Sequence, residues 1–153
     1  MSKQNKADKK RVATDKKSRK ISYRNWVTPE FVEEVSKQIV LKLMIEKKYR
    51  DPKYSARQLA REIGVNPRQI SAVVAVRFQQ NYSKLVSDMR VREAMYMFQD
   101  SHFDDMTIED VAINVGFTTR QSFYADFNRL SGMTPREYRI LHHSGADDAN
   151  QEA

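Results

Sequence analysis

The chain has no cysteine, which excludes disulfides and thiolate metal sites and fits a reducing compartment. It has only four glycines and four prolines in 153 residues, too few for a loop-rich or glycine-cradled architecture. No apolar run approaches the roughly 18 residues that span a bilayer; the longest candidate, Ile39 to Ile45, is interrupted by Lys42. The charged N-terminus is followed by no apolar stretch, so a secretory signal is excluded and a cytoplasmic location with no membrane partner is expected. No segment alternates polar and apolar residues convincingly, which argues against strands.

Charge is plentiful but uneven. The net +7 lies in residues 1–25, where ten Lys/Arg face two Asp for a balance of +8. Residues 26–153 carry seventeen Lys/Arg and eighteen Asp/Glu, or −1. Bulk charge therefore says little about the folded part, and a nucleic-acid reading there must rest on local arrangement. Residues 1–27 are polar, lysine-rich and poor in apolar side chains, and are expected to be a basic disordered tail, either a solvated linker or a nonspecific arm for phosphates. A second disordered tail is expected over residues 142–153.

Between the tails the punctuation is helical. Three of the four prolines follow a capping residue, in Thr28-Pro29, Asn66-Pro67 and Thr134-Pro135, and so mark helix starts. Ser55 with Gln58 and Thr107 with Asp110 add two more. The pattern predicts an all-α fold of seven helices, near 29–48, 56–63, 67–78, 83–99, 108–115, 119–130 and 135–141.

One unit occurs twice. "SARQLAREIGVNPRQISAVVAVRF" from Ser55 and "TIEDVAINVGFTTRQSFYADFNRL" from Thr107 align Ala60 with Ala112 and Gly64 with Gly116, 52 residues apart. After the turn the second copy is one residue longer, so Ile70 and Val74 match Phe123 and Phe127. In each copy a short capped helix ends at a glycine able to take the left-handed conformation, and a second helix follows a three-residue turn. This is a helix-turn-helix, whose second helix can enter the DNA major groove. The two copies span 55–78 and 107–130, and the helix over 83–99 joins them. Seventeen residues make roughly 26 Å of helix, a stiff connector able to hold two reading helices about one DNA turn, roughly 34 Å, apart. Its Met95, Tyr96, Met97 and Phe98 read as core.

At 100° per residue, Phe123, Phe127 and Leu130 share a core face in the second copy, and the opposite face carries Thr118, Gln121, Ser122, Ala125 and Asn128, with Arg120 and Arg129 at its margins. Arg pairs with guanine and Gln with adenine, so this face is a candidate reader of base edges. In the first copy the core stripe is Ile70, Val73, Val74 and Phe78, and the outward side is expected to show Arg68, Ser71, Ala72, Ala75, Val76 and Gln79. Its alanines and valine fit thymine methyl groups, a protein partner or a half that touches mainly phosphates. A helical protein-interaction module built on this apolar side is the rival reading.

The stretch 28–141 resembles the DNA-binding domain of AraC/XylS-type transcription regulators. The second copy carries the likeness in Gly116, Phe117, Phe123, Phe127, Gly132, Thr134, Pro135, Tyr138 and Arg139, and the joining helix adds Arg90 and Ala94. The resemblance implies a bilobed seven-helix fold, two reading helices in successive major grooves, and a bacterial regulator with double-stranded DNA and RNA polymerase as partners. It places DNA contacts at Arg68, Ser71 and Ala72, and at Arg120, Gln121, Ser122, Tyr124 and Ala125; Gln69, Ala75, Thr118, Thr119 and Arg129 beside them complete the candidate set. It implies no cofactor and no metal. Ala72 and Ala75 stand where the family often has basic residues, Val74 replaces an aromatic, and Gln79 stands where glycine is usual. The family's usual sensor domain has no counterpart here, which leaves a stand-alone regulator with a separate signalling partner or a domain of a longer protein. An enzyme reading fails on the absence of convergent groups: His142 and His143 are neighbours that point apart on a helix, and Glu109-Asp110 suit the first turn of a helix.

Overall fold

The computed structural model describes residues 27–148, with side chains to His143. The expected N-terminal tail lies outside the described residues except for Val27. Seven α-helices follow in order: α1 (Pro29–Val40), α2 (Ala56–Ile63), α3 (Pro67–Phe78), α4 (Tyr82–Gln99), α5 (Ile108–Asn114), α6 (Arg120–Ser131) and α7 (Pro135–Asp148). Among the described residues there is no strand, and no helix is long and apolar enough to cross a membrane.

Most starts lie where the caps predicted them. Thr28, Ser55, Asn66, Thr107 and Thr119 each accept a hydrogen bond from a first-turn amide. Asn66–Gln69 and Thr107–Asp110 form reciprocal capping boxes, which satisfy two otherwise unpartnered amides each. Thr134 and Glu137 exchange the same pair of bonds, at 3.2 and 2.9 Å.

Two boundaries differ from the prediction. The single helix expected over 29–48 is regular only to Val40; a wide π-helical turn, Leu41–Ile45, and a short 3-10 turn, Lys48–Arg50, follow. Lys47 between them is left-handed, at φ 52°. The apolar spacing of Ile39 and Leu43 continues through the break, so periodicity did not reveal it. At the other end α7 runs past Leu141, where the second tail was expected, to Asp148. No proline lies in that stretch, and one glycine costs a helix only about 1 kcal/mol.

The chain divides into two compact units. The first comprises α1, α2 and α3, which pack pairwise. Its buried side chains include Val32, Val35 and Ile39 on α1, Leu59 and Ala60 on α2, and Ile70, Ala72, Val73 and Val74 on α3. The second unit takes in Lys42–Tyr54 as well as everything from Ser83 onward. Periodicity had assigned residues 42–54 to neither copy. They belong to the second unit because α4 holds them there. Arg50 and Lys47 both pair with Glu93, and Arg90 donates to the carbonyls of Tyr49 (2.7 Å) and Asp51 (3.2 Å).

An aromatic cluster forms the core of the second unit. The Phe127 ring lies 5.8 Å from Phe98, 5.6 Å from Phe123 and 5.4 Å from Tyr138, each edge-on. Val91, Ala94, Met97, Val111, Ala112, Val115 and Phe117 complete it. Burying one such aromatic contributes about 1.5–3 kcal/mol, so the Phe pair fixes which way α6 faces. Tyr96 departs from its expected core role and is 63% exposed, beside Met44 and Met89.

Candidate nucleic-acid interface

The two copies share one turn-closing bond, made by the amide of the residue after the glycine, while the amide of Gly116 donates to Ile113 instead of to the alanine. After α2 the amides of Gly64 and Val65 both donate to the Ala60 carbonyl at 2.9 Å, and after α5 the Phe117 amide donates to the matching Ala112 carbonyl, also at 2.9 Å. Both alanines are buried. In the second copy Phe117 then turns inward, its ring 5.1 Å from Phe123. The glycine between is indispensable. Gly116 has φ 109°, and a Cβ there would sit 2.6 Å from the Tyr49 carbonyl oxygen and 2.8 Å from Arg90 Nε.

With Phe123 and Phe127 fully buried, α6 must turn its other side outward. Thr118, Thr119, Arg120, Gln121, Ser122, Ala125, Asn128 and Arg129 are all exposed, and Tyr124 is half-buried. These residues do not share one state. Thr119 is the helix cap, and its hydroxyl accepts from the Ser122 amide at 3.2 Å. Ser122 Oγ lies 2.6 Å from that hydroxyl and also donates to the Thr119 carbonyl at 3.1 Å. Arg129 is engaged within the fold: Nη2 lies 2.7 Å from Asp88 on α4 and 3.4 Å from Asp126. The hydrogen bond to Asp88 raises the Arg129 pKa further above its ordinary value. Gln121, Ala125 and Asn128 are exposed and, among the described residues, their side chains have no such tie.

Arg120 is oriented rather than tied down. Its guanidinium stands 4.8 Å above the Tyr124 ring centroid, and Nη2 donates to the Tyr124 hydroxyl at 3.3 Å. Nη1 lies 3.4 Å from Glu109 on α5. A stacked guanidinium is planar and keeps its edge available for bidentate pairing. The contributions of Tyr124 and Glu109 to Arg120 were not apparent from periodicity. An Arg four residues before a Tyr on one helix is the signal that could have shown the first.

In the first copy the helix faces need correction. Ala72 is 1% exposed and cannot reach a groove. It lies about 200° round α3 from Ile70, so periodicity alone turned it outward. Helix α3 is instead covered on more than one side, packed by both α1 and α2. Ala75 and Val76 are half-buried for the same reason. Of the residues expected outward, Arg68 and Ser71 are exposed, with Ala75 at their edge, and Gln79 is exposed just past the end of the helix. Ser71 Oγ donates back to the Pro67 carbonyl at 3.2 Å, and Gln69 is half-buried with its amide oxygen used by the Asn66 cap. The broad apolar outer face on which the protein-interaction reading depended does not exist.

Two further arginines hold backbone instead of facing outward. Arg90 caps the carbonyls after the 3-10 turn, and Arg139 of α7 donates to the carbonyls of Met106 (2.6 Å), Phe103 (3.1 Å) and Asp104 (2.9 Å). Glu93 anchors the same region. Burial pushes its pKa up, but hydrogen bonds from Arg50, Lys47 and Tyr49 outweigh that and hold it at about 2.

Paired helix-turn-helix elements on an all-α frame define a helix-turn-helix DNA-binding domain. A helix-turn-helix domain family model matches residues 59–140, more than half of the chain. The chain belongs to the AraC-type helix-turn-helix family, a family of DNA-binding domains and not of enzymes. It is 28% identical over 82 residues to the uncharacterized HTH-type transcriptional regulator YtdP of Bacillus subtilis (strain 168), covering 54% of this chain and 10% of that protein. It is 24% identical over 91 residues to the melibiose operon regulatory protein of Escherichia coli (strain K12), covering 60% of this chain and 29% of that protein. The chain thus spans less than a third of either curated relative. Among solved structures, the C-terminal domain of AraT, a response regulator from Geobacillus stearothermophilus, superposes with a TM-score of 0.60 at 20% identity, over 70% of this chain and 84% of that one. An AraC-type DNA-binding domain-containing transcriptional regulator from Chromobacterium violaceum gives 0.58 at 20% identity, over 70% and 95%. At such identities the structural likeness speaks to the fold.

Proposed function

We propose that the chain binds double-stranded DNA in a sequence-specific manner and regulates transcription, with α6 as the principal reading helix. The observation that carries this is the division of α6: Phe123 and Phe127 fully buried on one side, and Arg120, Gln121, Ala125 and Asn128 exposed on the other. Arg120 pairs with guanine, Gln121 with adenine, and Ala125 meets a thymine methyl. Thr118, Thr119 and Ser122 lie at the helix start and suit phosphates. Tyr124 orients Arg120, and Arg129 chiefly braces α6 against α4. In the first unit Arg68 and Ser71 supply the contacts, with Ala75 at the margin. Control of transcription makes RNA polymerase the machinery acted upon, and a sensor domain or a separate signalling protein supplies the signal.

The test starts with selection of bound duplexes from a random pool, with footprint length recorded. Two preferred blocks about one turn apart show both units reading; a single block leaves α3 as a passive support. On the selected site Arg120→Ala should lose roughly 1–3 kcal/mol, and far less on random duplex. Equal losses on both would reduce Arg120 to a phosphate contact.

A further inference from the structure

Among the described residues, Glu109 is the one acidic side chain in contact with the proposed reading arginine, and helix capping does not require it, since Asp110 supplies the reciprocal cap bond to Thr107. Glu109 and Arg120 are about half and two-thirds exposed, so their pairing is a weak one that competes with whatever the guanidinium meets outside. We propose that Glu109 is a positioning residue that sets how strongly Arg120 prefers a base edge over a phosphate; this rests on the reading of Arg120 given above.

The physics is a difference between two partners. Tyr124 fixes the plane of the guanidinium, and Glu109 lies beside Nη1. A phosphate drawn to Arg120 brings a full negative charge close to the Glu109 carboxylate, and like charges at such range repel. Guanine presents O6 and N7, which are uncharged, and pairs with both arms of the fork at once. The carboxylate therefore taxes the phosphate contact more than the base contact. It lowers binding to arbitrary sequence while leaving the specific pairing nearly intact, and so widens the ratio between them.

The experiment uses the full chain, the selected duplex and a random duplex of equal length, titrated at several salt concentrations. Glu109→Gln should bind random duplex about two- to five-fold more tightly, the size of a surface ion-pair effect. Its salt dependence there should steepen by up to about 0.9 in log–log slope, one added phosphate contact. Affinity for the selected site should change by less than about two-fold. The same substitution in an Arg120→Ala background should have no effect on random duplex, because the carboxylate acts through that guanidinium. Equal tightening on both duplexes, no tightening on either, or a gain that persists without Arg120 overturns the proposal and leaves Glu109 as a general surface charge. Arg120→Ala keeps the two failures apart. If it weakens both duplexes equally, the base-reading role falls; if it separates them while the Glu109 effect persists without it, only the present inference falls.

Discussion

Gly116→Ala provides the sharpest test of how the second unit is held. Two contributions add at this position. A φ of 109° is a conformation that L side chains rarely adopt, costing about 1–3 kcal/mol. The added Cβ would lie 2.6 Å from the Tyr49 carbonyl oxygen, 2.8 Å from Arg90 Nε and 2.9 Å from the Arg50 carbonyl oxygen. Two of these neighbours are backbone, which does not swing aside as a long side chain does. Relief must therefore loosen the bond from Arg90 to Tyr49, a charge-assisted bond of the kind worth about 1.5–3 kcal/mol. The sum is roughly 2.5–6 kcal/mol, a large share of a typical domain's stability. Gly132→Ala is the control within the same unit. Its φ is 76°, but a Cβ there meets nothing within 4 Å, so only about 1–2 kcal/mol of backbone cost applies. Urea titrations followed by far-ultraviolet circular dichroism should place the Gly116→Ala midpoint at least about 1 M below that of Gly132→Ala. Coincident midpoints would refute the claim that close approach, and not φ alone, demands glycine at 116.

Gln79→Gly should stabilise the first unit by about 0.5–1 kcal/mol, because Gln79 ends α3 at φ 56° where a side chain is strained; a thermal melt shows it. Ala72→Leu should cost about 1–3 kcal/mol in denaturant titration, since the residue is buried and three more carbons would overpack its surroundings. Glu93 is the acid-sensitive anchor. Its carboxyl is held at about 2 in the folded chain against an ordinary 4.5. Its stabilising contribution is thus fully present above about pH 4.5 and lost as pH falls towards 2. Glu93→Gln should lower stability at pH 6 and flatten the decline between pH 4.5 and 2, read from urea midpoints across that range. Arg129→Ala should show mainly in stability, by about 1 kcal/mol, with binding to the selected duplex changed by less than for Arg120→Ala.

The helix starts, the two-fold repeat and the aromatic anchors were legible because each depends on local chemistry at fixed spacing. A cap needs its acceptor two or three residues before the amide, and Phe123 and Phe127 sit one turn apart. The interruption after Val40 was hidden, because Ile39 and Leu43 keep helical spacing across it. The assignment of residues 42–54 to the second unit was hidden for a different reason: Lys47 and Arg50 each lie more than forty residues from Glu93, and no periodicity encodes such pairing. For the candidate interface, the outward face of α6 followed from its core face. The inward turn of Ala72 did not, since a helix covered on several sides has no single apolar stripe to project from. Arg129 looked like a reader by angle alone and is braced by Asp88, a carboxylate on another helix.

Arg139 has a consequence for dissection. Its three bonds to the carbonyls of Phe103, Asp104 and Met106 knot the closing helix to the loop that launches α5. Tyr138 meanwhile accepts from Gln99 at 2.6 Å and covers Phe127. A fragment trimmed at Ser131 would keep every outward side chain of the reader and lose the clasp that seats it. The smallest working piece of this half must therefore extend beyond Arg139.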